Sequence, residues 1–266
     1  MDFVLVNQIL TLSACTSIAL LAFLFADAPV PQADLDRFAR RHHLTPTENS
    51  SSQVATYIRV TRRWRIGCLF FAICLSVVTG LMQQQLNLNV TAVIAGLFAA
   101  VLLAEIRMAG LTPGRRMAAL TPRRLRDYLH RTGRIALTTA LVVAVPLSVL
   151  VLFVGRGDLK GLWVAILTPA VVGTISVWSM HRTLRRAQRA ADPDQVEADN
   201  AIRRQSVQTL AACAMALIAY ALINQLTFLL DTAEAPETAI LLIPIGLVVV
   251  PWFARSIATR PSPAAP

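Results

Sequence analysis

The residues that could do chemistry are few, and all stand in apolar surroundings. Glu105 lies at the end of an apolar block, two residues before Arg107. A carboxylate held at membrane depth is costly, so it either couples protons or substrate, or it snorkels to the inner interface and pairs with nearby arginines. The second constellation is a polar line. Cys213, Tyr220, Asn224, Thr227 and Asp231 are spaced by seven, four, three and four, which places them along one helical face. Such a stripe can line a substrate path; interhelical hydrogen bonding is the commoner use of polar groups in lipid. Gln225 points about 100° away from the stripe and needs a partner of its own.

Recognisable catalytic patterns are missing. The chain has no Gly-x-Ser-x-Gly, no His-Glu-x-x-His and no phosphate-binding loop. It also lacks the Asp-rich pair with which prenyltransferases hold magnesium diphosphate. His42 and His43 are adjacent and diverge on a helix, and with His130 and His181 they make no metal-ligand spacing. The four cysteines, Cys15, Cys68, Cys74 and Cys213, all sit inside apolar blocks and read as small buried residues. The expectation is therefore no catalytic residue, no metal and no cofactor, with enzyme action disfavoured.

The elements that must position these residues follow from composition. Of 266 residues 55% are hydrophobic and only 15% charged, where an ordinary soluble domain has about a quarter charged. The apolar residues come in blocks, and about 20 residues of helix cover the roughly 30 Å hydrocarbon core. Seven blocks of this kind occur: Phe3–Phe25, Ile66–Met82, Leu88–Met108, Ile135–Gly155, Gly161–Met180, Val207–Leu230 and Thr238–Phe253. The first contains Leu12-Ser13-Ala14-Cys15, a lipoprotein-like site. No basic residue precedes it and the apolar run continues past it, so it is taken as a span. The expected fold class is all-α: a single polytopic bundle of one leading helix and three hairpins.

Charge fixes the orientation. Segments 26–65, 107–134 and 181–206 hold seven, eight and six basic residues, and the tail two. Of the 25 basic residues this leaves only Arg156 and Lys160 on the other side. Lys and Arg are retained in cytoplasmic loops, so the N-terminus is expected outside and the C-terminus in the cytoplasm. This interleaving also argues against a nucleic-acid partner, despite a net charge of +10. Lys160 is the single lysine, a bias that suits a GC-rich bacterial genome and hence a bacterial cytoplasmic membrane. The seventh span carries no lysine, which excludes the Schiff base of a retinal protein.

The cytoplasmic segments, 26–65, 109–134, 181–206 and 254–266, carry helix-start signals. Thr45-Pro46 with Glu48 reads as a capping box, and Asp192-Pro193 with Gln195 as another start. From Pro122, Leu125, Tyr128 and Leu129 share one helical face, with Arg123, Arg124, Arg126, Asp127 and Arg131 on the rest and Gly133 ending the run. This helix is expected in the headgroup plane, its arginines on anionic lipid, or docked on a cytoplasmic partner.

Three further signals bear on packing and use. Arg62-Arg63, Arg131 to Arg134 and Arg203-Arg204 each open a span at intervals of about 70 residues, a faint hairpin repeat. Ala92, Gly96 and Ala100, and Pro169, Gly173 and Ser176, offer small residues for close helix approach. Pro146, Pro169, Pro244 and Pro251 interrupt apolar stretches, as transporter helices do and membrane helices do generally. The leading functional expectation is a permease-like transport subunit energised by a separate ATPase or joined to another membrane subunit. Glu105, Tyr220, Asn224 and Thr227 would then be on its path. The alternative is a non-transport sensor, scaffold or assembly subunit, and a lipid-modifying enzyme comes third.

Overall fold

A computed structural model describes residues 28–45, 47–82, 90–110, 116–117, 125–154, 159–185, 188–189 and 193–232, with isolated positions 13, 17, 20, 26 and 256. The described chain is helical: α1 (Gln32–His42), α2 (Glu48–Met82), α3 (Val90–Gly110), α4 (Leu125–Tyr128), α5 (Arg131–Val154), α6 (Leu159–Arg185) and α7 (Pro193–Thr232). One two-residue antiparallel pair interrupts this, β1 (Arg116–Met117) with β2 (Gln188–Arg189), in the register Arg116 to Arg189 and Met117 to Gln188.

The predicted spans at 66–82, 88–108, 135–155, 161–180 and 207–230 lie largely on α2, α3, α5, α6 and α7. Those at 3–25 and 238–253 lie outside the described residues, apart from positions 13, 17 and 20. Among the described residues two helices, α5 and α7, are long and apolar enough to cross a membrane. A seven-span bundle is thus not reached, in part because the apolar stretches of α2, α3 and α6 run through side chains outside the described set. The two candidates differ in character. α7 is mostly buried, as the core helix of a soluble protein also would be. α5 is mostly exposed and turns Ile135, Val142, Val143, Val145, Val149 and Phe153 outward, with Val145 66% and Phe153 70% exposed.

The helices also run further than the spans. α2 has 35 residues and α7 has 40, about 50 and 60 Å at 1.5 Å per residue. The basic segments at 48–65 and 193–206 are therefore continuous with the helices that carry the predicted spans, not separate helices. α7 starts at Pro193, as the Asp-Pro signal predicts. α2 starts at Glu48, but its cap is not Thr45 with Glu48. Thr47 and Ser50 cap it reciprocally: the Ser50 amide donates to Thr47 Oγ1 at 3.4 Å and the Thr47 amide to Ser50 Oγ at 3.0 Å. Ser50 is buried and its short side chain reaches the first turn, a role that the longer, outward Glu48 leaves open.

The chain divides into two compact units, residues 1–120 with 186–202 and residues 121–185 with 203–266. In the first, α1 lies on α2 through an Asp34–Arg62 ion pair at 3.6 Å and Phe38 6.3 Å from Tyr57. α1 ends in a left-handed turn at His43, φ 54°, with Arg40, Arg41 and His42 at the negative end of its dipole. Burial pushes the Arg41 guanidinium pKa down. Tyr57, Met108 and Ile202 form a small core, flanked by Phe38, Ile58 and Val60. α2 and α3 pack closely: a β-carbon on Gly96 would overlap the Ala72 side chain and stand 3.0 Å from the Cys68 carbonyl oxygen. In the second unit Gly173 on α6 plays a similar part, with Leu141 Cδ2 of α5 2.7 Å from where its β-carbon would be.

Candidate functional site

Polar groups in the second unit gather on the faces where α5, α6 and α7 meet. On α7 Gln225 is 1% exposed, and its Nε2 donates to Ser148 Oγ on α5 at 2.9 Å. Ser148 in turn donates to the Ala144 carbonyl oxygen of its own helix at 2.7 Å. This is the partner that the position of Gln225, off the polar stripe, calls for. A hydrogen bond here joins α5 to α7, and Ala144 and Val151 on α5 and Ile218 and Ala221 on α7 are buried as well.

Towards the other end of the same faces lies Arg203, 0% exposed. Its Nη1 donates to the carbonyl oxygens of Thr183 at 3.1 Å and Leu184 at 3.5 Å. These are among the last carbonyls of α6, which no amide of that helix can satisfy. A guanidinium is suited to this position twice over, as a multiple donor and as a positive charge at the negative end of the helix dipole. Sequence reasoning counted Arg203 only as loop charge. The available signal was its place after ten helical residues, on the face that continues through Val207, Leu210 and Ala214.

The residues singled out from sequence are dispersed. Glu105 is half-buried, five residues before the end of α3, and has an interaction partner. Within the polar stripe Tyr220 is buried, Cys213 and Thr227 are half-buried, and Asn224 is exposed. Thr227 gives its hydroxyl to its own helix, at the Ile223 carbonyl, 2.9 Å away. The Asp231 side chain lies outside the described residues.

The arginine-rich helix expected from 122 onward ends at Tyr128. Among the described residues it covers Leu125 to Tyr128; Arg123, Arg124 and the Arg126 side chain lie outside the described residues. Leu125 is half-buried, and Tyr128 and Leu129 are buried, with α4 resting on α6. The chain then turns at His130, whose Nδ1 accepts from the Thr132 amide at 3.3 Å and so caps α5. α5 consequently starts at Arg131 and runs through Gly133, where the sequence places a break.

The sequence matches no protein-family model and no characterised protein, and the fold matches no solved structure. Function has to be read from the site alone. Among the described residues no group of three His, Cys, Asp or Glu side chains could hold a metal. The arrangement offers helix-to-helix hydrogen bonds and a charged clamp on a helix end. Outward, Trp178 and Arg182 stand together near the end of α6, the guanidinium 5.2 Å from the ring centre. An aromatic ring with a basic neighbour at the end of an apolar helix suits the boundary between lipid and water.

Proposed function

We propose that the chain is a multi-pass protein of the bacterial cytoplasmic membrane, N-terminus outside and C-terminus inside, working as a non-transport scaffold or assembly subunit. The observation that supports this best is the use made of its polar side chains. Gln225 with Ser148 and Arg203 with Thr183 fasten helices to one another. Such bonds hold a bundle together in lipid, where apolar burial supplies no drive for helices to associate. The outward apolar face of α5 supports the membrane setting, since water disfavours so long a row of exposed valine, isoleucine and phenylalanine.

The topology is tested by impermeant thiol labelling of intact cells, in a chain freed of its own cysteines. Asp127→Cys is expected to react only after lysis and Glu234→Cys without it. The reverse pattern would overturn the orientation, and loss of both from the membrane fraction would overturn the setting.

A permease-like subunit driven by a separate ATPase is the second reading. It is favoured by Pro146 and Pro169, both inside helices, where each removes an amide donor and loosens the ladder. Affinity purification of the full chain separates the two. An ATPase that co-purifies and is lost on Arg131→Glu would favour the permease; Arg131 is the suitable probe because it is exposed, whereas Tyr128 is buried. Membrane partners without an ATPase would favour the scaffold.

A further inference from the structure

We infer that Arg182, held over Trp178 at the cytoplasmic end of α6, takes the phosphate headgroup of an anionic lipid. The inference rests on the membrane reading above, which supplies the lipid and the side it comes from.

Two exposed rows locate the site. On α6 Val171, Ile175 and Trp178 are followed on the same face by Arg182 and Arg185, at steps of four, three, four and three. All five are exposed, Trp178 by 55%. On α5 exposed Val149, Val145, Val142 and Ile135 lead along one face to exposed Arg131. Each row is apolar for several turns and then basic. The exposed hydroxyls of Thr138 and Thr174 are spent on carbonyls of their own helices, those of Arg134 and Ala170, as surroundings without water require.

The two changes fall at one depth. Leu141 of α5 meets Gly173 of α6, 13 residues before Val154 and 14 after Leu159, so the helices run antiparallel. From that contact Arg131 lies ten residues one way and Arg182 nine the other, about 15 and 14 Å, with no proline in either stretch. Ile135 and Trp178 stand about 9 and 8 Å from it. Two helices thus turn from apolar to basic between the same limits. A boundary between lipid and water does this to both at once, whereas a solvated charge run on one helix has no reason to match its neighbour.

Charge and geometry name the occupant. Among the described side chains of the second unit Asp127 is the one carboxylate, against six arginines. Arg182 and Arg185 form no ion pair with a described carboxylate. The Arg182 guanidinium sits over the Trp178 ring, 5.2 Å from its centre. The ring covers one face of the guanidinium and leaves its N–H edge open, so a phosphate oxyanion can accept two bonds in that plane. Arginines at the cytoplasmic surface attract anionic headgroups, and the indole suits the level just beneath them.

The test uses the full chain in mild detergent, analysed by native mass spectrometry after exposure to equal amounts of phosphatidylglycerol and phosphatidylcholine. Wild type is expected to prefer phosphatidylglycerol, and Arg182→Gln to lower that preference about fivefold, the worth of one arginine beside an anionic surface. Arg182→Lys should recover part, because the charge stays and the planar fork is lost. Trp178→Leu should weaken the preference by a smaller factor. Arg131→Gln, at the same depth but with no described ring beneath it, should change it less than Arg182→Gln; an equal loss would mean diffuse charge and overturn the site. Equal retention by wild type and Arg182→Gln would overturn it too, and a second copy or an acidic protein lost from that variant would then be the occupant. Alkaline carbonate separates the two claims. Equal retention in a chain that stays with the membrane overturns the site alone, whereas a chain released from it overturns the membrane reading and the lipid site together.

Discussion

Gln225 and Ser148, 77 residues apart, meet across 2.9 Å, and the serine passes its own proton on to Ala144. A primary amide in an apolar helix needs such a partner, and a serine that already donates to the Ala144 carbonyl can still accept. Replacing Gln225 by Leu and Ser148 by Ala, singly and together, should give a coupling of about 0.6 kcal/mol and no more than about 1.7. Unfolding in mixed micelles reads it out. Additive single and double variants would mean that the two side chains are neighbours without consequence.

Arg203 should matter more, because it serves two of the last backbone carbonyls of α6, which no amide of that helix can satisfy. Arg203→Met keeps the bulk and removes the donors, leaving the Thr183 and Leu184 carbonyls buried at the end of α6. The expected loss is about 1–3 kcal/mol, the cost of unsatisfied buried polar groups. Arg203→Lys should recover part of it, since the charge remains while the fork is lost. Thermal unfolding of the purified chain orders the three; wild-type stability in Arg203→Met would remove the clamp from the account.

Much of this arrangement is visible in the chain itself, and the rest is invisible for physical reasons. Block length and the placement of arginine locate the helices, because both are set by the solvent on each side of an interface. Gln225 announces a need for a partner, yet nothing names Ser148: one serine in a run of valine, leucine and alanine carries no periodicity. Arg203 sits in a stretch rich in charge, where sequence gives no means of separating an arginine in water from one folded under a helix end. Tyr128 shows the opposite failure. Its amphipathic neighbourhood reads as a face offered to lipid, but an amphipathic face is equally served by the chain's own α6.

Gly96 supports a third expectation, on the close packing of α2 and α3. Gly96→Ala would overlap the Ala72 side chain and press on the Cys68 carbonyl, which belongs to the backbone and cannot swing aside. Overpacking of this kind costs about 1–3 kcal/mol. Adding Ala72→Gly should relieve the side-chain overlap and leave the carbonyl contact, so the rescue should be partial. Circular dichroism melts of the single and double variants measure it, and an undiminished melting temperature for Gly96→Ala would show that the helices are free to part there.

The outward face of α5 gives the sharpest separation between water and lipid. Val145 lies near the middle of the helix and is 66% exposed. In water, Val145→Arg would move stability by no more than about 0.5 kcal/mol, as surface substitutions usually do. At the centre of a bilayer-spanning helix the same change costs about 2.5–3.5 kcal/mol. This difference is independent of how the helix packs, because an exposed position loses no contact in either setting. Val145→Leu is the control and should be silent in both. With the full chain expressed in cells, the membrane setting requires Val145→Arg to lower the carbonate-resistant fraction well below that of Val145→Leu. Equal fractions would mean that α5 faces water, and the long apolar row would then need a protein surface to cover it.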